Sequence, residues 1–147
     1  MTKKMKVTRY NPEEIEAVVT DISLLTLEEA KALPENIRQY RGWWWLRTPG
    51  DERFTVAFVY NGGSVNSYGT DIGYNYNCVR PVLTIADLDF FDLEVGDTLA
   101  IQNKRYIYIG DNRVIYNGEL VYHRFDEDSN DYEKSEIKKI VDNWLGK

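Results

Sequence analysis

Short apolar runs dominate this chain, broken every few positions by Gly, Asn, Asp or Pro, and a few stretches carry helical spacing instead. Asn11-Pro12-Glu13-Glu14 reads as a helix start. Asn is a good N-cap, Pro suits the first helical position and Glu14 completes a capping box. Ile15, Val18 and Val19 follow as a short apolar stripe and predict a helix there. Asp21 to Leu25 reads as a strand. Thr26-Leu27-Glu28-Glu29 repeats the capping pattern and predicts a second short helix to about Leu33, ended by Pro34.

Gly42 to Arg47 is aromatic and strand-like, and Pro49-Gly50 is a turn. Phe54 to Tyr60 is a strand with an apolar centre, Asn61-Gly62-Gly63 turns it, and Ser64 to Tyr68 returns. Gly69 to Asn77 mixes Gly, Asn, Asp and Tyr with no period and reads as a loop. Val79 to Ile85 is another strand. Asp87 to Asp92 is an acidic-aromatic connector. Short strands follow, split at Gly96-Asp97, Gln102-Asn103-Lys104, Gly110-Asp111-Asn112 and Asn117-Gly118, the last being the clearest type I′ hairpin signal. A helix closes the chain, with Asn130 as cap and Glu133 completing its box. Ile137, Ile140, Val141, Trp144 and Leu145 form its apolar face. The pattern predicts an α+β chain in two parts with a boundary near residues 86–94.

Three motifs stand in order: Trp43-Trp44-Trp45-Leu46-Arg47-Thr48-Pro49-Gly50, Gly63-Ser64-Val65-Asn66, and Val79-Arg80-Pro81-Val82-Leu83. With Leu24-Leu25-Thr26-Leu27-Glu28-Glu29-Ala30 before them, they resemble an uncharacterised bacterial and phage domain family related to the C-type-lectin-like fold. That fold also carries the formylglycine-generating enzymes. The resemblance covers roughly residues 20–85. It implies a C-type-lectin-like domain over residues 1–86, with a twisted antiparallel sheet and two short N-terminal helices. Residues 87–147 would then be an acidic appendage of β-hairpin and C-terminal helix. It implies no activity. By strand alternation, Trp43 and Trp45 lie on one face and Trp44 on the other, so at least one face is core. Arg47 and Arg80 are read as planar ties to carboxylates or loop carbonyls.

Composition narrows the function. Aromatics make up 14% of the 147 residues, with eleven Tyr and four Trp. Tyr suits half-buried pleated surfaces and also contact surfaces. The net charge of −6 falls wholly on residues 87–147, which hold fourteen acidic and eight basic side chains. Direct nucleic-acid binding through phosphate neutralisation is therefore disfavoured. No apolar run reaches bilayer length, and no apolar stretch follows the basic start as in a secretory signal. The single Cys78 allows no disulfide within the chain. A cytoplasmic protein that does not engage membranes is expected.

Candidate chemistry is sparse. His123 is the only histidine, and Cys78 is the one thiol it could activate; nothing in the sequence supplies the supporting third group. A transition-metal site lacks ligands. The related formylglycine-generating enzymes use a cysteine pair that this chain does not have. Asp126-Glu127-Asp128-Ser129-Asn130 opens like a calcium loop, but Asp131 and Ile137 stand where Gly and Glu are needed, and helix capping explains the segment. No metal, cofactor or catalytic residue is expected. The leading expectation is a non-catalytic recognition module for a protein or other ligand. Its face comprises Tyr60, Asn61, Asn66, Tyr68, Asp71, Tyr74, Asn75, Tyr76 and Asn77, a palette suited to adaptable contact. The competing reading of this stretch is a polar loop stiffened by packed Tyr rings. The alternative function is a phage or mobile-element inhibitor of a host defence protein, docking partly through its acidic C-terminal half.

Overall fold

The computed structural model describes residues 2–7 and 14–146. The chain forms two compact units interleaved in sequence: Met1–Ile22 with Pro81–Glu119, and Ser23–Arg80 with Leu120–Lys147. Among the described residues no helix is long and apolar enough to cross a membrane.

The first unit is a closed six-stranded barrel. Its strands are β1 (Thr2–Val7), β2 (Ile15–Ser23, whose last residue belongs to the other unit), β6 (Val82–Ile85), β7 (Thr98–Ile101), β8 (Lys104–Gly110) and β9 (Arg113–Tyr116). The order around the barrel is β1-β2-β6-β9-β8-β7, with β7 returning to β1. β1 pairs antiparallel with β2 and β7, β8 with β7 and β9, and β6 with β9. In a closed ring this forces β2 and β6 to be antiparallel as well. Alternate residues fill the interior: Met5 and Val7, Ala17 and Val19, Leu99 and Ile101, with Leu83, Ile85 and Val114. Tyr106 and Tyr116 meet edge to face in this core at 5.7 Å.

Two tight hairpins close β7–β8 and β8–β9. Gln102 and Asn103 (φ 54° and 64°) and Asp111 and Asn112 (φ 54° and 59°) take the paired left-handed conformation of type I′ turns. Asn117-Gly118 does not turn a hairpin; neither residue has positive φ. Gly118 is required because a Cβ there would lie 2.6 Å from the Tyr116 hydroxyl.

This barrel overturns the C-type-lectin-like α+β expectation. The protein is mostly β, and its helices are short: Leu27–Ala32 (α1), Glu35–Arg38 (α2) and Glu136–Asp142 (α3). The helix expected from Asn11 is also corrected. Residues 11–13 lie outside the described residues, but Ile15–Ser23 is strand. Val18 is exposed while Ala17 and Val19 are buried, so the apparent helical stripe is a period of two. The β-branched residues Ile15, Val18, Val19 and Thr20 suit that conformation.

The second unit holds a three-stranded sheet in the order β3-β4-β5, formed by Trp44–Pro49, Thr55–Val59 and Val65–Asp71. Trp44 opposes Val59 and Trp45 opposes Phe58, so consecutive Trp side chains serve opposite faces. Both are fully buried, so both faces are core. On one side Trp44 Nε1 donates to the Arg38 carbonyl at the end of α2. On the other, the Trp45 ring meets Phe125 edge-on at 5.6 Å and its Nε1 donates to the His123 carbonyl.

Local signals act here as expected for α1. Thr26 accepts from Glu29 N, and the Glu29 carboxylate accepts from Thr26 N, a complete capping box. At the C-terminus the cap differs. Ser135, not Asn130, caps α3 by accepting from Lys138 N, and Asp131 caps a preceding 3₁₀ turn, Tyr132–Lys134. Of the expected apolar face, Ile137 and Val141 are buried on α3 and Ile140 is half-buried, while Trp144 and Leu145 are buried beyond the helix end.

Candidate functional site

The β4–β5 hairpin and the loop after it position the aromatic side chains that gather on the second unit. Tyr60 N donates to the Ser64 carbonyl and Gly63 N to the Tyr60 carbonyl, closing the hairpin. Past β5, the buried Ile72 pins the loop. Its N–H donates to the Phe54 carbonyl, and its carbonyl accepts from Phe125 N and Asp126 N. Asp71 tightens the next turn by accepting from Gly73 N at 2.7 Å and, through its carbonyl, from Tyr74 N. Tyr74, Asn75 and Tyr76 therefore extend from an anchored loop.

Trp43 is the centre of the group. Its ring stacks on Phe58 (5.2 Å, 25°), meets Tyr60 edge-on (4.8 Å, 87°) and lies tilted against Tyr74 (6.1 Å, 36°). Tyr74 in turn meets Tyr76 at 5.7 Å. Exposure rises outward: Phe58 is buried, Trp43, Tyr60 and Tyr74 are half-buried, and Tyr76 is 69% exposed. Asn66 Nδ2 donates to the Tyr60 hydroxyl at 2.8 Å while its Oδ1 accepts from Gly69 N, which fixes the amide and orients the ring. Gly69 (φ 90°) belongs to a β-bulge, where a Cβ would press on the Val56 backbone at 2.7 Å.

The residues expected on one face thus separate. Tyr60, Asn66, Tyr74 and Tyr76 join through Trp43, and Asn75 lies exposed between the last two. Tyr68 (69% exposed) and Asp71 are exposed on β5, and Asn61 is exposed in the hairpin turn. Asn77 is not on any surface: it is fully buried, and its side-chain amide has no hydrogen-bond partner among the described residues. Sequence reasoning assigned Trp43 to the frame and missed it as a site residue. The available signal was its place just before the first residue of β3.

The groups weighed for catalysis occupy structural positions. Cys78 is fully buried, and burial pushes its thiol up to about 11. It pairs with Tyr122 in an isolated bridge, which sets Asn77, and not Cys78, opposite His123. His123 Nδ1 lies 2.6 Å from the Arg124 carbonyl. The Asp126 carboxylate accepts from Asp128 N, Ser129 N and Glu136 N, so the segment that opens like a calcium loop spends this carboxylate on its own backbone. Arg124 forms a two-pronged pair with Glu136 at 3.0 and 2.9 Å. Among the described residues no cluster of His, Cys, Asp or Glu is placed to hold a metal ion.

Fold and site define a β-rich protein with a barrel unit and a second unit bearing a graded aromatic-amide surface. The chain belongs to the family described as Domain of unknown function (DUF6273), which it matches over residues 11–87. That span includes all of β3–β5, Trp43 and the loop to Tyr76. No curated protein and no solved structure shows a significant match to the chain.

Proposed function

We propose that this chain is a non-catalytic recognition module that binds a protein partner through the aromatic-amide surface centred on Trp43, Tyr74 and Tyr76. The observation that carries the reading is the exposure gradient on an anchored loop. Rings that support one another at the base and emerge at Tyr76 offer a large contact area that is already ordered before binding. Tyr68, as exposed as Tyr76, adds a second contact on β5. A protein partner fits better than nucleic acid because the chain carries a net charge of −6. A thiol enzyme is not part of this reading, since a thiol raised to about 11 is protonated at neutral pH. A reducing, cytoplasmic setting fits the lone Cys78, which has no second cysteine in this chain to pair with.

The test is affinity capture with the immobilised chain, run beside Tyr76→Ser and Tyr68→Ser variants of matched melting temperature. The expected result is a protein retained by the wild type whose affinity falls at least about thirtyfold in one variant, the loss typical of an aromatic anchor. Equal retention by both variants, or retention that moves with Cys78→Ser, would overturn the reading.

A further inference from the structure

The barrel unit carries a second feature, built from different residues. A groove of about 540 Å³ lies beside the 3₁₀ turn Leu88–Phe91. Leu88 is buried within it, while Val18 and Phe90 line it at 46% and 83% exposure. Glu16, Asp87 and Asp89 also line it, and among the described residues no basic side chain does. The volume falls within the roughly 300–1,000 Å³ range of binding pockets. Phe90 is the most exposed large apolar side chain among the described residues.

The turn holds Phe90 in place. Asp87 and Asp92 flank it in the left-handed region, at φ 61° and 51°. Asp89 N donates to Asn112 Oδ1 at 3.0 Å, and Ala86 N donates to the Val18 carbonyl at 2.9 Å. The Phe91 ring braces Phe90 edge-on at 5.5 Å. A turn held in this way presents the exposed ring from a defined backbone position, which lowers the ordering needed for insertion.

We propose that this groove seats a basic amphipathic helix of another protein. Barrel closure argues for the binding mode. Every barrel strand has a neighbour on each side, so the sheet offers no free edge for an added strand. A partner must therefore present side chains to the groove, and apolar anchors spaced i, i+3, i+4 do so. Charge complementarity argues for the partner's chemistry. The three carboxylates on the lining disfavour phosphates and acidic segments and match Lys or Arg on the flanks of the helix. The unit as a whole has the same sign, with eleven acidic and seven basic side chains.

The experiment is fluorescence anisotropy with the full chain and a labelled synthetic helix carrying Leu at i, i+3, i+4 and i+7 and Lys elsewhere. The control peptide has Glu in place of Lys. The Lys peptide is expected to bind saturably and to weaken as salt rises, and the Glu peptide is expected not to bind. Phe90→Ser, at an exposed position that leaves the melting temperature unchanged, should weaken binding at least about tenfold. Asp89→Lys should weaken it and flatten its salt dependence, while Phe54→Ser, an exposed ring in the other unit, should leave it unchanged. Amide signals of Val18 and Phe90 should move on titration. Equal binding of the Glu peptide, or binding indifferent to Phe90→Ser, overturns the proposal. So does self-association of the chain that Phe90→Ser abolishes, which would make a second copy the occupant. Partition onto neutral phosphatidylcholine vesicles in place of peptide binding overturns it too.

Discussion

The Arg80 guanidinium lies over the Trp44 ring, 4.9 Å from its centroid, with both side chains fully buried. The Tyr40 ring is 4.6 Å away, and Arg80 Nη1 donates to the Ile37 carbonyl at 2.7 Å. Burial lowers the guanidinium to about 10, partly countered by Tyr40, so it stays charged at neutral pH. A planar cation that stacks on rings while capping a carbonyl ties α2 to β3. Arg80→Ala should destabilise the fold by about 3 kcal/mol or more, from lost cation–π contact and an orphaned carbonyl. Arg80→Lys should recover little, because an ammonium is a point charge without a stacking plane. Urea unfolding checks both, and an unchanged midpoint for Arg80→Ala would remove Arg80 from the structural frame.

Asp126 makes stability depend on acid. Burial pushes its carboxyl pKa up, but the backbone N–H groups of Asp128, Ser129, Glu136 and Glu127 outweigh this and hold it below the ordinary value. The folded pKa then lies below the unfolded one, so protonation favours the unfolded chain. The contribution is full above the unfolded carboxylate value, about 3.9, and is lost as pH falls through the folded one. Asp126→Asn should lower stability by about 1 kcal/mol at neutral pH, as loss of a capping acceptor does. The gap between variant and wild type should close as pH falls below the unfolded carboxylate value and through the lower folded one. A gap constant across that range in pH-dependent melting would refute the assignment.

What the sequence revealed and what it hid divide along physical lines. Locally determined features were legible: the Thr26–Glu29 capping box, the Gly62-Gly63 hairpin and the buried helix face of Ile137 and Val141. Each depends on residues a few positions apart. Barrel closure was not legible, because it pairs β1 with β7 and β2 with β6, strands far apart in the chain. The β2 segment misled because Ile15, Val18 and Val19 fit a helical stripe as well as a strand, and only the partners decide. The two type I′ turns sit at Gln102-Asn103 and Asp111-Asn112, while the better sequence signal at Asn117-Gly118 answers to crowding by Tyr116. In the candidate surface, composition singled out Tyr74 and Tyr76 together with Asn77, whose burial depends on tertiary packing.

Cys78 should report global opening. It is fully buried and its thiol is raised to about 11, so the nucleophilic thiolate is scarce at pH 8. Labelling with an aromatic disulfide should be negligible in the native protein and should follow the unfolding curve in urea. Rapid native labelling would place Cys78 in an accessible, activated setting and reopen thiol chemistry.

Asn77 buries an amide whose nitrogen and oxygen both lack partners among the described residues. Its backbone carbonyl, which accepts from His123 N, does not depend on the side chain. Asn77→Leu replaces the amide with an apolar group of similar size and should leave stability unchanged or raise it by about 1–2 kcal/mol. A clear loss in thermal melting would show that the amide is hydrogen-bonded in solution.

The tyrosines of the aromatic surface should differ in what they do for the fold. Tyr68 and Tyr76 are each 69% exposed, so Ser at either position should change stability by no more than about 0.5 kcal/mol. Tyr74 touches both Trp43 and Tyr76 and is half-buried, so Tyr74→Ser should cost about 1 kcal/mol from its ring contacts. A side chain that supports the loop is not free to serve wholly as its contact surface. Binding energy should therefore be concentrated in the rings that are exposed at no structural cost. Melting curves and affinities measured on the same three variants test this ordering. If Tyr76→Ser melts the fold as strongly as Tyr74→Ser, the cluster is loop packing throughout, and the contact surface must lie elsewhere on the molecule.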